Sequence, residues 1–148
     1  MNKLNKKVEY ALMALKYMTG KPAGSLTTAK EVVTSTGVPF DATARVMQIM
    51  GQKEILKSEQ GAQGGYQLIG DLSKVSFFDL IEMILGPLGI AKCLHGSENC
   101  EMFDSCNIQQ PINHLNNRLV EFYKDVSLQE ILAAEKGTPI PGLEASAE

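Results

Sequence analysis

Apolar residues at helical spacing open the chain, and they predict an amphipathic helix over 3–19 that ends near Gly20 and Pro22. A second helix is predicted over 28–36, where Thr28 and Glu31 have the spacing of a capping box. After Gly37, a third helix is predicted over 42–52 with Asp41 as its N-cap. Two helices joined by a glycine-containing turn are typical of a helix-turn-helix.

Two short runs that suit β-strands follow, over 55–59 and 66–69. The segment between them contains Gly61, Gly64 and Gly65, so we predict a hairpin with a flexible turn. A hairpin directly after a helix-turn-helix is the wing of a winged helix. Such a wing contacts the DNA backbone or the minor groove, while the second helix of the motif reads the major groove.

The second half of the chain predicts a short helix over 77–85, capped by Ser76 and Asp79, and then a long one. The long helix is indicated by six apolar residues that alternate at spacings of four and three, here called the heptad seam: Ile108, Ile112, Leu115, Leu119, Phe122 and Val126. Such spacing is typical of helices that pack against another helix. We expect a homodimer through 108–126, the alternative being an ordinary amphipathic helix on the chain's own core.

These elements define a mainly α fold with a small β-hairpin wing, that is, a winged helix-turn-helix followed by a long dimerisation helix. We divide the chain into a DNA-binding domain (1–86), a cysteine loop (87–107), and a dimerisation helix with a short C-terminal helix (108–136). The tail, 137–148, is predicted to be disordered.

Charge is unevenly distributed, although the net charge of the 148 residues is −3. Residues 1–66 hold nine Lys/Arg against five Asp/Glu, a balance of +4, whereas residues 67–148 hold five against twelve, a balance of −7. A basic first part suits contact with phosphate. No apolar run approaches the roughly 20 residues of a membrane-spanning helix, and no signal peptide is recognisable, so we expect a cytoplasmic protein without membrane contact.

Three cysteines, Cys93, Cys100 and Cys106, lie within one short loop. An odd number argues against a closed set of disulfides, and in a reducing compartment thiols remain free or bind metal. Thiolates are the usual ligands of iron–sulfur clusters, of either the 2Fe–2S or the 4Fe–4S type. Three of them leave one coordination position for a weaker ligand, which suits a reactive, sensing cluster.

Three stretches together resemble the IscR/NsrR family of winged-helix regulators, over residues 3 to about 132. They are Glu9-Tyr10-Ala11-Leu12 in the first helix, the wing from Lys57 to Leu68 with its Gly-Gly-Tyr-x-Leu ending, and the cysteine triplet. The resemblance implies a DNA-binding regulator, more often a repressor, that senses nitric oxide, oxygen, redox state or iron supply. Where the family's wing usually has an arginine before its first glycine, this chain has Gln60.

The resemblance also suggests the fourth cluster ligand. Some members use a histidine at the position of Gln109, which is a poor iron ligand. Others use an acidic residue of the first helix, supplied by the partner subunit, and the matching residue is Glu9. His95, inside the loop, is a second candidate.

Candidate DNA contacts lie on three elements. Arginine can read guanine and glutamine can read adenine, whereas residues at a helix start or in a wing more often hold phosphate. The candidates are Thr28, Lys30, Thr43, Arg45, Gln48, Lys57, Ser58, Gln60 and Gln63.

Two alternatives keep the DNA-binding fold and change the chemistry. Zinc held by the three cysteines and His95 would make the site structural. A cluster-free thiol sensor would instead have one cysteine oxidised directly. No catalytic motif is present to favour an enzyme.

Overall fold

A computed structural model of the chain describes residues 3–96 and 100–135. Six α-helices and three strands are present in these ranges: α1 (Lys6–Thr19), β1 (Leu26–Thr27), α2 (Ala29–Thr36), α3 (Phe40–Gln52), β2 (Leu56–Glu59), β3 (Gly65–Leu68), α4 (Phe77–Leu85), α5 (Gln109–Asp125) and α6 (Leu128–Ala133). None of these helices is both long enough and apolar enough to cross a membrane. The predicted tail, 137–148, lies outside the described residues.

Capping side chains set the starts of α2, α4 and α6. Thr28 and Glu31 form a complete capping box at α2, and Ser76 and Asp79 form another at α4. The Ser127 hydroxyl accepts a hydrogen bond from the Glu130 N–H at α6. Each cap satisfies backbone N–H groups that have no partner inside the helix.

Two helix starts differ from prediction. The first helix begins at Lys6, because the Asn5 side chain accepts from the Lys7 N–H and fixes the N-cap there. The predicted cap by Asp41 is wrong: α3 begins at Phe40 with Pro39 as N-cap and without a side-chain cap. Pro39 has the extended backbone of an N-cap (φ −63°, ψ 134°), but its ring has no oxygen that could accept from the first N–H groups of the helix.

The sheet has three antiparallel strands in the order β1-β3-β2, one more than predicted. The hairpin pairs Leu56 with Leu68 and Ser58 with Tyr66, as a wing should. The strand missed by sequence reasoning is β1, which has two residues and pairs Thr27 with Tyr66. A two-residue strand leaves no periodicity to detect.

One hydrophobic core joins the helices. It includes apolar residues of α1, α3 and α4, and it extends to α6 through Leu128 and Leu132. Helix α5 packs on α4, where the rings of Phe77 and Tyr123 meet edge to face with centroids 5.1 Å apart. Helix α5 therefore packs partly against its own chain.

Candidate DNA interface and cysteine loop

Helix α3 exposes two of its three predicted contact residues. Arg45 and Gln48 lie on the solvent face, where the guanidinium Nη1 donates to the Gln48 Oε1 over 2.8 Å. Thr43 is fully buried, and its hydroxyl donates to the Pro39 carbonyl oxygen over 2.8 Å. The prediction that Thr43 faces DNA is therefore wrong, because that side of α3 packs into the core.

The start of α2 is fixed by a small polar network. The Thr28 hydroxyl accepts from the Glu31 N–H over 3.2 Å, while the Glu31 carboxylate accepts from the Thr28 N–H over 2.6 Å. The latter bond is the main reason that the pKa of Glu31 lies below its ordinary value. Thr28 is half-buried within this cap, whereas the neighbouring Lys30 side chain is exposed.

The wing presents its predicted polar residues to solvent. Lys57, Ser58, Gln60 and Gln63 are all exposed. The Lys57 ammonium lies 3.2 Å from the carboxylate of Glu59, on the same strand. Any phosphate contact by Lys57 therefore competes with this neighbour.

A close backbone approach joins the wing to the helix-turn-helix. A Cβ atom added to Gly65 would lie 2.9 Å from the Thr27 carbonyl oxygen, and Gly65 has a φ of +157°. Only glycine allows β3 to lie this close to β1. Because β1 leads directly into α2, the wing and the DNA-binding helices are connected through the sheet as well as through the chain.

The three cysteines are free and half-buried, in the segment between α4 and α5. Cys93 belongs to a short 3₁₀ turn, Lys92–His95, and Cys106 directly follows another, Phe103–Ser105. Within residues 3–96 and 100–135, no three cysteine, histidine or acidic side chains lie together as the ligands of a metal ion would. The sulfur atoms suit iron or zinc by their chemistry.

The start of this segment is held against α5. At its start, the Ile90 N–H donates to the side-chain oxygen of Asn116 over 3.2 Å. Asn116 is a buried polar residue in the middle of α5. Next to Ile90, the His95 ring packs on Gly89, where an added Cβ atom would lie 2.7 Å from Nε2. Sequence reasoning missed Asn116, although its position between Ile112 and Leu119 places it on the inward side of the helix.

Glu9 lies on α1 and pairs within its own chain. The Lys6 ammonium is 2.7 Å from the Glu9 carboxylate, which retains one third of its exposure. This contact raises the pKa of Lys6. Within its own chain Glu9 therefore pairs with Lys6, and among the described residues it belongs to no group of three possible metal ligands.

A winged helix in a chain with a basic first half is typical of DNA-binding proteins. Comparison with known proteins identifies the family. The sequence profile of the Rrf2 family, described as "Iron-dependent Transcriptional regulator", matches residues 4–134. The match spans most of the chain, so this protein belongs to the Rrf2 family. It is a DNA-binding transcriptional regulator and not an enzyme. This agrees with the family that the sequence motifs resemble.

Relatives and solved structures agree with this family. A protein of Aquifex aeolicus (strain VF5), described by name as an HTH-type transcriptional regulator, is 24% identical over 131 residues, which are 87% of this chain and 90% of the relative. The fold is similar to that of CymR (YrzC), the global cysteine regulator of B. subtilis, with a TM-score of 0.67 at 19% identity over 90% of this chain and 98% of that one. It is also similar to T. potens IscR, with a TM-score of 0.62 at 18% identity over 94% and 93%. The winged-helix prediction is confirmed.

Proposed function

We propose that the protein is a homodimeric repressor of promoter DNA whose operator affinity is switched by an iron–sulfur cluster. The cluster would be held by Cys93, Cys100 and Cys106, with Glu9 of the partner subunit as the fourth ligand. The observation that supports this most directly is three free, half-buried thiols between α4 and α5, in a family described as iron-dependent.

The donors fit such a cluster by type. Thiolates are its usual ligands, and the chain offers three of them in a segment whose described residues include two short 3₁₀ turns. A bound cluster would supply a centre whose loss or modification by a signal molecule changes the loop. The protein's part is to hold that loop against α5, which Asn116 does through Ile90.

DNA reading is proposed for α3, with backbone contacts from α2 and the wing. Arg45 and Gln48 are exposed side chains that can read base edges. Contacts to phosphate and sugar are proposed for five exposed side chains: Lys30, Lys57, Ser58, Gln60 and Gln63. Thr28 would contribute by fixing the start of α2. The proposed roles follow the predicted divisions of the chain. Residues 1–86 form the DNA-binding head, 87–107 the sensor loop and 108–136 the dimerisation segment.

A cluster-free thiol sensor is the second candidate. It is favoured by the free cysteines, which do not converge on one metal site in the described ranges. A solved structure of similar fold is Staphylococcus aureus CymR in an oxidized form, with a TM-score of 0.66 at 16% identity. In this alternative, or with zinc bound by the cysteines and His95, the DNA-binding part is unchanged.

Anaerobic purification distinguishes these candidates. We expect brown protein with iron and acid-labile sulfide in equal amounts, visible absorption that Cys93→Ser abolishes, and operator affinity that changes on exposure to air. Ser105→Ala, an exposed position in the same loop, is the matched control and should keep the absorption. Stoichiometric zinc, or metal-free protein that still responds to an oxidant, would contradict the cluster.

A further inference from the structure

Helix α3 carries one large apolar side chain on its solvent face, at its first residue. Phe40 is 53% exposed and is not part of the hydrophobic core. Its helix cannot rotate to bury it, because Thr43, Val46 and Met47 already fix the inward side of α3. An exposed aromatic ring held at this position has a surface available for a partner.

Phe40 lies in line with the side chains proposed to read DNA. Residues four apart are neighbours along a helix, so Phe40, Ala44 and Gln48 form one row, with Arg45 beside it. A reading helix enters the major groove with its N-terminal residues closest to the base edges. Phe40 is the N-terminal residue of α3.

The chemistry of the groove selects one partner for an apolar ring. Among base edges in the major groove, the 5-methyl group of thymine is the apolar feature, and aromatic side chains are known to pack on it. The neighbouring Asp41 is exposed and acidic, which disfavours a phosphate at this end of the helix. A base edge is therefore a better partner for this helix end than the DNA backbone.

We infer that Phe40 is a specificity-determining residue that packs on the methyl group of a thymine in the operator. The inference rests on the proposed reading role of α3 and goes beyond it by assigning one base. Eight residues of helix span about 12 Å at a rise of ~1.5 Å per residue. The thymine should therefore lie within about four base pairs of the base read by Gln48.

The test begins with selection of operators from a random duplex library by the full-length protein, in parallel for the wild type, Phe40→Ala, Phe40→Leu and Arg45→Ala. Each thymine of the selected operator is then replaced by deoxyuridine, which removes only the methyl group. We expect one symmetry-related pair of thymines at which the wild type loses about fourfold in affinity per half-site, from the loss of one buried methyl group. Phe40→Ala should bind the thymine operator more weakly than the wild type and should bind the thymine and deoxyuridine operators equally well. Phe40→Leu should retain part of the preference for thymine over deoxyuridine.

The outcomes separate this inference from the function on which it rests. Uniform affinity for the thymine and deoxyuridine operators, or equal methyl discrimination by the wild type and Phe40→Ala, would overturn the role of Phe40 alone. Selection of the same operator by Arg45→Ala with unchanged affinity, or failure of the wild type to enrich any sequence, would overturn the reading role of α3 and this inference with it. Because Phe40 is outside the core, thermal unfolding of both Phe40 variants should match the wild type.

Discussion

The side chains of Glu31 and Lys21 together connect three parts of the DNA-binding head. The Glu31 carboxylate accepts from the Thr28 N–H at the start of α2 and lies 3.3 Å from the Lys21 ammonium. The same ammonium donates to the Leu26 carbonyl oxygen in β1 over 2.6 Å. The end of α1, the first strand and α2 are thereby held in one arrangement by two side chains.

Replacement of Glu31 by glutamine should change how stability depends on pH. The pKa of Glu31 is lowered in the folded protein, mainly by the hydrogen bond from the Thr28 N–H. The stability that the Glu31 carboxylate contributes is fully present at pH values above its ordinary pKa of 4.5. It is lost as the pH falls through the lowered pKa of the folded protein. The free energy of unfolding of Glu31→Gln should therefore fall less steeply on acidification, with a difference at pH 7 below about 1 kcal/mol because the pair is partly exposed.

Urea titrations at a series of pH values from 7 to 3 measure this difference. Glutamine still fits the capping box, so the change isolates the charge. Glu121→Gln, an exposed carboxylate on α5, is the control for loss of one negative charge. Parallel pH profiles for the wild type and Glu31→Gln would show that the network is not a source of acid sensitivity.

The heptad seam of α5 divides into two apolar faces, one packed on the chain itself and one exposed. Within the heptad seam, Ile112, Leu119 and Val126 are half-buried against the chain itself. Ile108, Leu115 and Phe122 are exposed and recur every seven residues. The inward face also contains Asn116, which connects the helix to the cysteine loop.

Loss of the Asn116 side chain should loosen the cysteine loop. Asn116→Ala leaves the Ile90 N–H without its acceptor, which costs about 1 kcal/mol. We expect alkylation of Cys93 in the apo protein, three residues beyond Ile90, to become up to about fivefold faster. Mass spectrometry of peptides after timed reaction with iodoacetamide measures the rate.

Asn117→Ala provides the comparison, since Asn117 is the exposed neighbour on the same helix. It should leave the rate unchanged. Equal rates for the wild type and Asn116→Ala would mean that the hydrogen bond to Ile90 does not restrain the loop.

The wing, the family and the starts of α2 and α4 could be predicted from sequence because caps, glycines and hydrophobic spacing are local features. The inward orientation of Thr43 and Asn116 was missed because hydrophobic spacing registers apolar residues and passes over polar ones, although both lie at helical spacing from inward-facing neighbours. Burial of Thr43 depends on its hydroxyl finding the Pro39 carbonyl oxygen. The arrangement of the cysteines depends on contacts between distant elements, which spacing along the chain does not specify.

At the scale of the whole molecule, the exposed stripe of α5 is suited to bind a second copy of the chain. Leu115 is 54% exposed and Phe122 is 61% exposed, next to charged and polar positions. A stripe repeating every seven residues matches the spacing at which two long helices pack. In a twofold dimer the same residues are buried twice, once from each subunit.

Leu115→Lys should therefore dissociate the proposed dimer. Loss of two buried leucines, at about 1.5–3 kcal/mol each, corresponds to a dissociation constant raised at least about 100-fold. Sedimentation equilibrium over a range of protein concentrations measures this. Asn117→Lys, exposed on another side of the same helix, should leave the dimer intact, and a Leu115→Lys dimer as tight as the wild type would contradict the interface.

The contact between Gly65 and the Thr27 carbonyl has a consequence for regulation. It restricts movement of the wing relative to α2, since β3 pairs with β1 and lies so close to it that a side chain at position 65 would clash with the Thr27 backbone. In the proposed dimer, the winged helix of each subunit would then meet DNA as one rigid body. A signal that acts on the dimer can alter the distance and tilt between two such bodies while leaving the surface of each unaltered, so its effect should depend on the spacing of operator half-sites more than on their base sequence.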